Sequence, residues 1–319
     1  MTFRVLITAP YFLPVVEEYR ERLEVADVEI VTLPVAERLN ECDLLPIIES
    51  IDGVVCGDDE FTRRVIQHAR KLKVISKWGT GIDSIDTVAA AEFGIKVYNT
   101  PDAFTDAVAD STLGYILCFA RRLVGMNNEM RDGAWRKPEA FALRGRTLGV
   151  VGIGNIGRAV IRRARAFGMH LLGNDPIAPP ESFLVDSKLQ MLPLNDLLEQ
   201  SDFVTLHCDL NPTSFHLVAK TELQQMQSSA YLINTSRGPV IEEAVLVDAL
   251  RQRWIAGAAL DVFEVEPLPV DSPLRSMDNC LLAPHNANGD SVAHKRVHDS
   301  TIGNLLDGLR GDTQPTSAM

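Results

Sequence analysis

The chain has 319 residues, 46% of them hydrophobic and 23% charged, which are ordinary proportions for a folded protein with room for two domains. Its formal net charge of −12 leaves no surplus of lysine and arginine, so nucleic acid and anionic membranes are disfavoured as partners. The five cysteines lack disulfide or metal-ligand spacing, and no metal site is indicated. No apolar run is long enough to span a bilayer, and residues 2–7 are too short for a signal peptide, so we expect a cytoplasmic protein.

Short apolar runs alternate with amphipathic segments through the first hundred residues. The runs predict five β-strands, at residues 3–8, 28–33, 53–56, 74–76 and 95–98. The segments between them predict four helices, at residues 15–25, 45–50, 62–69 and 88–93. Strict alternation of strand and helix predicts a doubly wound α/β unit with a parallel sheet.

A segment with few turn signals, residues 106–130, is predicted to form one long helix that leads to a second α/β unit. Trp135, which follows it, is expected to pack. The strands of this second unit are predicted at residues 148–151, 170–173, 203–207, 231–234, 257–262 and 280–283. Its predicted helices include residues 193–200, 220–226 and 242–252, and a last helix covers about 294–309. The polar tail, residues 311–319, is typical of a frayed end.

The second unit opens with the glycine pattern of a dinucleotide site, directly after its first strand. Such a pattern alone could also mark a plain strand-to-helix turn. An amphipathic helix follows it, however, and an acid at the end of the next strand could accept hydrogen bonds from both ribose hydroxyls. Because this acid repels a 2′-phosphate, the sequence predicts NAD rather than NADP. The predicted cofactor contacts here are Gly152, Gly154, Asn155, Ile156, Gly157 and Asp175.

Polar clusters follow three later strands of the same unit. The clusters are Asn-Thr-Ser-Arg-Gly at residues 234–238, Asp-Val-Phe-Glu-Val-Glu-Pro at 261–267 and Pro-His-Asn at 284–286. Ligands of such sheets bind outside the carboxyl ends of the strands, so we expect a site there. Taken singly, each charged residue could equally be a solvated side chain, a turn former or a buried structural histidine.

Together with Lys-Trp-Gly-Thr-Gly-Ile-Asp at residues 77–83, these motifs resemble the D-isomer-specific 2-hydroxyacid dehydrogenases, the family of phosphoglycerate dehydrogenase and glyoxylate reductase. The motifs occur in the family's order and spacing over nearly the whole chain. The resemblance implies a flavodoxin-like substrate-binding domain at residues 1–101, completed by 285–319, and a Rossmann NAD-binding domain at 102–284. It also implies a homodimer joined through the NAD-binding domain and the long helix.

The resemblance implies catalysis by three residues. Arg237 would bind the carboxylate and the 2-oxo oxygen of the substrate. His285 would deliver a proton to that oxygen as hydride reaches C2, and would remove it in the oxidative direction. Glu266 would hydrogen-bond His285 and favour its imidazolium form. The cofactor groove would also contain His207, Thr235 and Asp261, and the substrate loop would be Trp78, Gly79, Thr80 and Gly81.

Some features depart from the family or leave alternatives open. Residues 56–60 are acidic where phosphoglycerate-specific members place an arginine, which argues against 3-phosphoglycerate as the substrate. Glu266 argues against a formate dehydrogenase, which carries Gln there. The alternative from another class is an NAD(H)-sensing protein like the corepressors of this family, which keep the same Arg, Glu and His. Histidines without such companions are interpreted as structural, namely His68, His170, His207, His216, His294 and His298, although His207 also belongs to the predicted cofactor groove.

Overall fold

The computed structural model describes residues 2–311, which divide into two compact units. Unit 1 runs up to Phe104 and resumes at Asp290, and unit 2 is Thr105–Gly289. The two boundaries, after Phe104 and after Gly289, lie three and five residues beyond the expected boundaries after residues 101 and 284. His285 therefore lies inside unit 2. Most of the tail predicted to fray, residues 312–319, lies outside the described residues.

The sheet of unit 1 has five parallel strands in the order β2-β1-β3-β4-β5. This is the flavodoxin-like order, in which the direction of winding reverses beside the first strand. Strands β3 and β4 are buried along their whole length, as expected for a parallel sheet covered on both faces. The strands are β1 Phe3–Ile7, β2 Val28–Thr32, β3 Gly53–Cys56, β4 Val74–Lys77 and β5 Lys96–Tyr98.

The helices of unit 1 differ in detail from the prediction. The first predicted helix is split into a 3₁₀ helix, Leu13–Tyr19, with Pro14 in its first turn, and the short α1. Helix α2 begins four residues early because the Asn40 side chain accepts from the Cys42 and Asp43 backbone N–H groups. The helices are α1 Arg20–Glu24, α2 Glu41–Ile48, α3 Arg63–His68, α4 Thr87–Glu92 and, after unit 2, α12 Ser291–Arg310.

The sheet of unit 2 has seven parallel strands in the order β12-β11-β10-β9-β6-β7-β8. This is the Rossmann order extended by one strand, and its switch point lies between β6 and β9. The two-residue edge strand β8 was not predicted, because it is too short to show an apolar pattern. The strands are β6 Thr147–Val151, β7 His170–Asn174, β8 Gln190–Met191, β9 Phe203–Leu206, β10 Tyr231–Asn234, β11 Gly257–Leu260 and β12 Cys280–Leu282.

The prediction of one helix over residues 106–130 is wrong, because the backbone of Arg122 is left-handed with φ of +52° and separates two helices. The first helix buries an apolar stripe that ends at Ala120, whereas the second buries none of its residues. Trp135 does not pack as expected, since 79% of its surface is exposed. The helices are α5 Thr105–Arg121, α6 Leu123–Arg131, α7 Asn155–Ala166, α8 Glu181–Ser187, α9 Leu194–Gln200, α10 Lys220–Gln225 and α11 Glu243–Arg251.

The described residues contain no membrane-spanning helix and no disulfide. Within residues 2–311, every helix is too short or too polar to cross a membrane. All five cysteines lie in this part of the chain, and all are free thiols. In each unit the strands supply the buried centre, so polar side chains collect where the strands end.

Candidate active site

The glycine-rich turn after β6 is shaped by close backbone contacts. Gly152 has φ of +88°, and a Cβ built on it would lie 2.5 Å from the backbone nitrogen of Cys208. A Cβ on Gly157 would lie 2.1 Å from the carbonyl oxygen of Gly152. Any side chain at either position would collide with backbone, so the turn requires both glycines.

The outer side of this turn is open. A Cβ on Gly154 would meet no atom within 4 Å, and no side chain caps α7 at this residue. The start of this twelve-residue helix therefore has room beside Gly154, where backbone N–H groups and the helix dipole favour an anion. This open cradle fits the pyrophosphate of a dinucleotide.

Asp175 follows β7, and its carboxylate accepts hydrogen bonds from two backbone segments, one before and one after it in the chain. One oxygen accepts from the backbone N–H of Ile153 at 2.6 Å, and the other accepts from that of Ile177 at 2.7 Å. Asp175 thus ties the glycine-rich turn to the end of β7, a contact that the sequence did not predict. Each oxygen keeps a second lone pair, so these bonds are compatible with the proposed ribose contact.

His207, directly after β9, is held by hydroxyl groups. Its Nε2 lies 3.0 Å from Thr205 Oγ1, and its Nδ1 lies 3.5 Å from Thr235 Oγ1. Thr235 Oγ1 in turn lies 3.3 Å from Thr112 Oγ1. Burial lowers the pKa of His207 to about 3, so its ring is neutral at physiological pH.

The turn that carries Arg237 is organised by Asn234, the last residue of β10. The fully buried Asn234 side chain donates to the Arg237 carbonyl at 2.9 Å and accepts from the Ser236 N–H and hydroxyl at 3.0 and 2.8 Å. A Cβ on Gly238 would lie 1.9 Å from the carbonyl carbon of Phe263. No individual role was predicted for Asn234 or Gly238, although a polar residue at the end of an apolar strand is a signal for one.

Glu266 and His285 form a half-buried pair. His285 Nδ1 lies 3.0 Å from Glu266 Oε2, and the two side chains are 22% and 16% exposed. The other oxygen of Glu266 accepts from the backbone N–H of Phe263 at 2.9 Å. The carboxylate is thus fixed by its own loop and fixes one nitrogen of the imidazole, the arrangement of an oriented general acid–base.

Asp261 organises the backbone around His285. Its carbonyl accepts from the His285 N–H at 2.7 Å, and its buried carboxylate accepts from the Asn286 and Ala287 N–H groups at 2.9 and 2.8 Å. His285 itself has φ of +49°, a conformation that needs such support in a residue other than glycine. The expected place of Asp261 in the cofactor groove stays a prediction, whereas the structure shows its carboxylate holding backbone N–H groups.

The expected substrate loop lies in unit 1, directly after β4. Trp78 is 4% exposed, and its indole N–H donates to Nδ1 of His298 on α12 at 2.9 Å. Gly79 has φ of +113°, and its carbonyl accepts from the N–H and hydroxyl of Thr100 at 2.9 and 3.0 Å. Of the remaining loop residues, Thr80 is exposed and Gly81 is half-buried.

Within unit 2, the predicted residues follow the carboxyl ends of strands, as expected. Glu266 and His285 are in contact, and the Arg237 turn meets the 263–264 backbone through Gly238. The interpretation of His216 as a histidine without companions is wrong, because its Nε2 lies 2.8 Å from Glu264 Oε1. The two residues are 48 positions apart, so no local signal could have paired them.

Comparison with known proteins gives a consistent result. The family described as D-isomer specific 2-hydroxyacid dehydrogenase, NAD binding domain, matches residues 113–287. A glyoxylate reductase of Korarchaeum cryptofilum is 38% identical over 287 residues, 88% of this chain and 84% of that protein. A D-3-phosphoglycerate dehydrogenase of Methanocaldococcus jannaschii is 38% identical over 298 residues, 91% of this chain and 55% of that protein. The crystal structure of D-lactate dehydrogenase from Aquifex aeolicus, complexed with NAD and lactic acid, has a TM-score of 0.87 at 25% identity and covers 97% of this chain and 96% of that one.

The matched segment contains the open glycine-rich turn as well as Arg237, Glu266 and His285. The fold, with its flavodoxin-like and Rossmann sheets, agrees with that of the solved relative. The cofactor is NAD, as the matched domain and the open cradle at Gly154 both indicate. The chain belongs to the D-isomer-specific 2-hydroxyacid dehydrogenase family and is an NAD-dependent oxidoreductase of 2-hydroxy acids.

Proposed function

We propose that this chain interconverts a D-2-hydroxy acid and its 2-oxo acid, with His285 as the general acid–base. The observation that carries the proposal is the 3.0 Å contact between His285 Nδ1 and Glu266 Oε2. This contact orients the ring through Nδ1, so we assign the proton transfer to Nε2, and the carboxylate favours the charged imidazolium that reduction of a carbonyl needs.

In the proposed reduction, Arg237 binds the substrate carboxylate and polarises the 2-oxo group, since its planar guanidinium can bind two oxygens at once. When bound, NADH supplies a hydride for C2. His285 Nε2 donates its proton to the 2-oxo oxygen, and Glu266 stabilises the imidazolium until then. In the oxidative direction, neutral His285 removes the hydroxyl proton. Thr80 and Gly81 would hold the substrate carboxylate through backbone N–H groups, beside Trp78 and Gly79.

The proposed cofactor contacts follow from the glycine-rich turn. Gly152 and Gly157 shape the turn, and the start of α7 at Gly154, Asn155 and Ile156 would hold the pyrophosphate. The Asp175 carboxylate would bind the ribose hydroxyls and disfavour a 2′-phosphate. His207, Thr235 and Asp261 would line the nicotinamide end of the groove.

The proposed substrate is a small 2-oxo acid without a phosphate group. In unit 1 the buried Lys77 ammonium lies 3.0 Å from Asp58 Oδ1, so a neighbouring carboxylate already offsets its charge. The adjacent Asp59 is fully buried and accepts from Thr8 Oγ1 at 2.6 Å and from the Leu39 N–H at 2.6 Å. This neighbourhood offers no surplus positive charge for a phosphate. The glyoxylate reductase and the D-3-phosphoglycerate dehydrogenase are equally identical to this chain, but the match covers 84% of the first and only 55% of the second.

The test is oxidation of NADH, followed by absorbance, with glyoxylate, hydroxypyruvate, pyruvate and 3-phosphohydroxypyruvate. We expect turnover of at least one unphosphorylated acid, with the phosphorylated acid the poorest substrate. A protein that binds NADH but turns over no member of a broad panel would contradict the enzyme and support the NAD(H)-sensing alternative. A preference for 3-phosphohydroxypyruvate would overturn the substrate assignment alone.

We also propose that the chain is a homodimer joined through α6 and the segment that follows it. Helix α6 buries none of its residues, and Leu123, Val124 and Met130 are 48%, 42% and 51% exposed. With Trp135, they expose apolar surface of the kind that a partner covers. Light scattering of the wild-type protein should give twice the mass of one chain. The Val124→Asp protein should give the mass of a single chain. A monomeric wild-type protein would contradict the dimer.

The cytoplasmic location stays a prediction.

A further inference from the structure

A second histidine–glutamate pair lies beside the proposed catalytic pair in unit 2. His216 Nε2 lies 2.8 Å from Glu264 Oε1, and the two side chains are 32% and 31% exposed. Glu264 is two residues before Glu266 on the same loop. The ring of His216 stacks on Phe215, with centroids 4.0 Å apart, and φ of His216 is +51°.

His216 is anchored by its backbone to the turn that carries Arg237. Its N–H donates to the Pro239 carbonyl at 2.8 Å, two residues after Arg237. Two residues on, the Val218 N–H donates to the Val240 carbonyl at 3.0 Å. The main chain at 216–218 therefore follows the main chain at 239–240, and a shift of one segment moves the other.

Glu264 is anchored to the loop that carries Glu266 and to α11. Its backbone N–H donates to Glu243 Oε2 at 3.0 Å, and its Oε1 accepts from the Glu243 N–H at 3.3 Å. Burial, together with the neighbouring Glu264 and Glu266 carboxylates, raises the pKa of Glu243. Three acidic side chains are thus crowded here, and the ring of His216 supplies a donor to one of them.

The two catalytic turns also touch directly at the same place. A Cβ on Gly238 would lie 1.9 Å from the Phe263 carbonyl carbon and 2.4 Å from the Glu264 nitrogen. The Phe263 N–H donates to Glu266. The backbone at 263–264 therefore lies between the Arg237 turn and the Glu266 carboxylate.

We propose that His216 and Glu264 are positioning residues that hold the Arg237 turn against the Glu266 loop. This inference rests on the proposed function for its effect on turnover. The hydrogen bond between their side chains joins the two turns, so it sets where the guanidinium lies relative to the Glu266–His285 pair. Neither residue contacts the substrate, and both act through Arg237 and Glu266.

The main test replaces His216 by Phe, which keeps a ring to stack on Phe215 but removes the donor to Glu264. We expect kcat to fall about tenfold or more, because small displacements of catalytic groups are costly, while the Kd of NADH changes less than about twofold. His216→Gln, which retains an N–H donor, should recover most of kcat. The matched control is Val265→Ala, whose 57% exposed side chain lies between the two glutamates.

The second test asks whether the two residues act as a pair. Glu264→Leu should lower kcat as His216→Phe does, and the double variant should be no slower than the slower single variant. Fully additive losses would contradict the pairing. A His216→Phe protein that melts at a lower temperature yet keeps wild-type kcat would overturn the proposal, since the residue would then be structural only.

A readout without turnover separates this inference from the proposed function. Deuterium uptake should rise in His216→Phe in peptides covering residues 237–241 and 261–266, with the Val265→Ala protein as reference. If wild-type protein turns over no 2-oxo acid but uptake rises as described, the pair still holds the turns while the proposed function fails. Unchanged uptake in both peptides overturns the positioning role whatever the activity.

Discussion

Two regions at the carboxyl edge of the unit 2 sheet use histidine in opposite ways. Beside the catalytic loop, His285 lies 3.0 Å from the Glu266 carboxylate. Beside the glycine-rich turn, His207 contacts the Thr205 and Thr235 hydroxyls. A carboxylate favours the charged ring, whereas burial favours the neutral ring.

Under the proposed function, this difference would let one sheet edge serve both proton transfer and cofactor binding. Burial lowers the pKa of His207 to about 3, so this ring stays neutral and can only exchange hydrogen bonds with its neighbours. His285 instead has an anionic partner fixed by its own loop through the Phe263 N–H. In the proposed mechanism the anionic partner of His285 suits a proton carrier, whereas the burial of His207 suits a neutral ring that only makes hydrogen bonds.

The largest effect is expected from His285→Gln, which removes the proposed acid–base but keeps a side chain of similar polarity. We expect kcat to fall about a thousandfold, within the range for general acid–base catalysis, with little change in the Kd of NADH. Stopped-flow turnover and fluorescence titration measure the two quantities. An equal loss of NADH affinity would show that His285 is structural.

Glu266→Gln should have the next largest effect. The amide keeps the size of the side chain but removes the negative charge that stabilises the imidazolium, so we expect about a hundredfold loss in kcat for reduction. The decline of kcat at alkaline pH should begin at lower pH than in the wild type, because less imidazolium remains. The pH profile of kcat for 2-oxo acid reduction checks this. An unshifted profile would mean that Glu266 orients the ring without influencing its charge.

His207 should make the protein less stable in acid. Its pKa of about 3 in the folded state lies below the ordinary 6.5, so protons bind the unfolded state first and stability falls as pH drops from about 6.5 towards 3. Between pH 7.5 and 5.0 this contributes up to about 2 kcal/mol of lost unfolding free energy. Urea unfolding at both pH values should show a smaller loss in His207→Gln. The exposed His170→Gln protein is the control, and an equal loss in all three proteins would contradict the prediction.

Much of this arrangement could be predicted from sequence because it is local. Buried parallel strands read as apolar runs, and the glycine pattern of residues 152–157 is fixed by collisions within a few residues, as at Gly152 and Gly157. The helix break at Arg122 could not be predicted, since no proline or glycine marks it and it falls where the buried stripe of α5 ends.

The supporting contacts of the candidate site were not predictable because they join distant residues. Asp261 holds the backbone N–H groups of Asn286 and Ala287, 25 and 26 positions away. Backbone donors look alike in every sequence, so a pattern of side chains cannot reveal such bonds. The pairing of His216 with Glu264 depends in the same way on how the loops after β9 and β11 fold.

The smallest expected effect concerns Asp175, which has two tasks on the cofactor side of the comparison. Its charge should disfavour NADP, and its oxygens hold the N–H groups of Ile153 and Ile177. Asp175→Asn keeps an acceptor for the turn but removes the charge, so we expect the preference for NADH over NADPH to fall about tenfold. Asp175→Ala should relax the preference similarly but also weaken NADH binding, because it frees the turn.

The two Asp175 variants are compared by kcat/KM with each cofactor and one 2-oxo acid. If both lose NADH affinity equally, the charge and not the turn contact dominates binding. If neither changes the cofactor ratio, the carboxylate does not face the ribose and serves only to tie Ile153 to the end of β7. That outcome would leave the open cradle at Gly154 intact but would move discrimination between NAD and NADP to other residues of the groove.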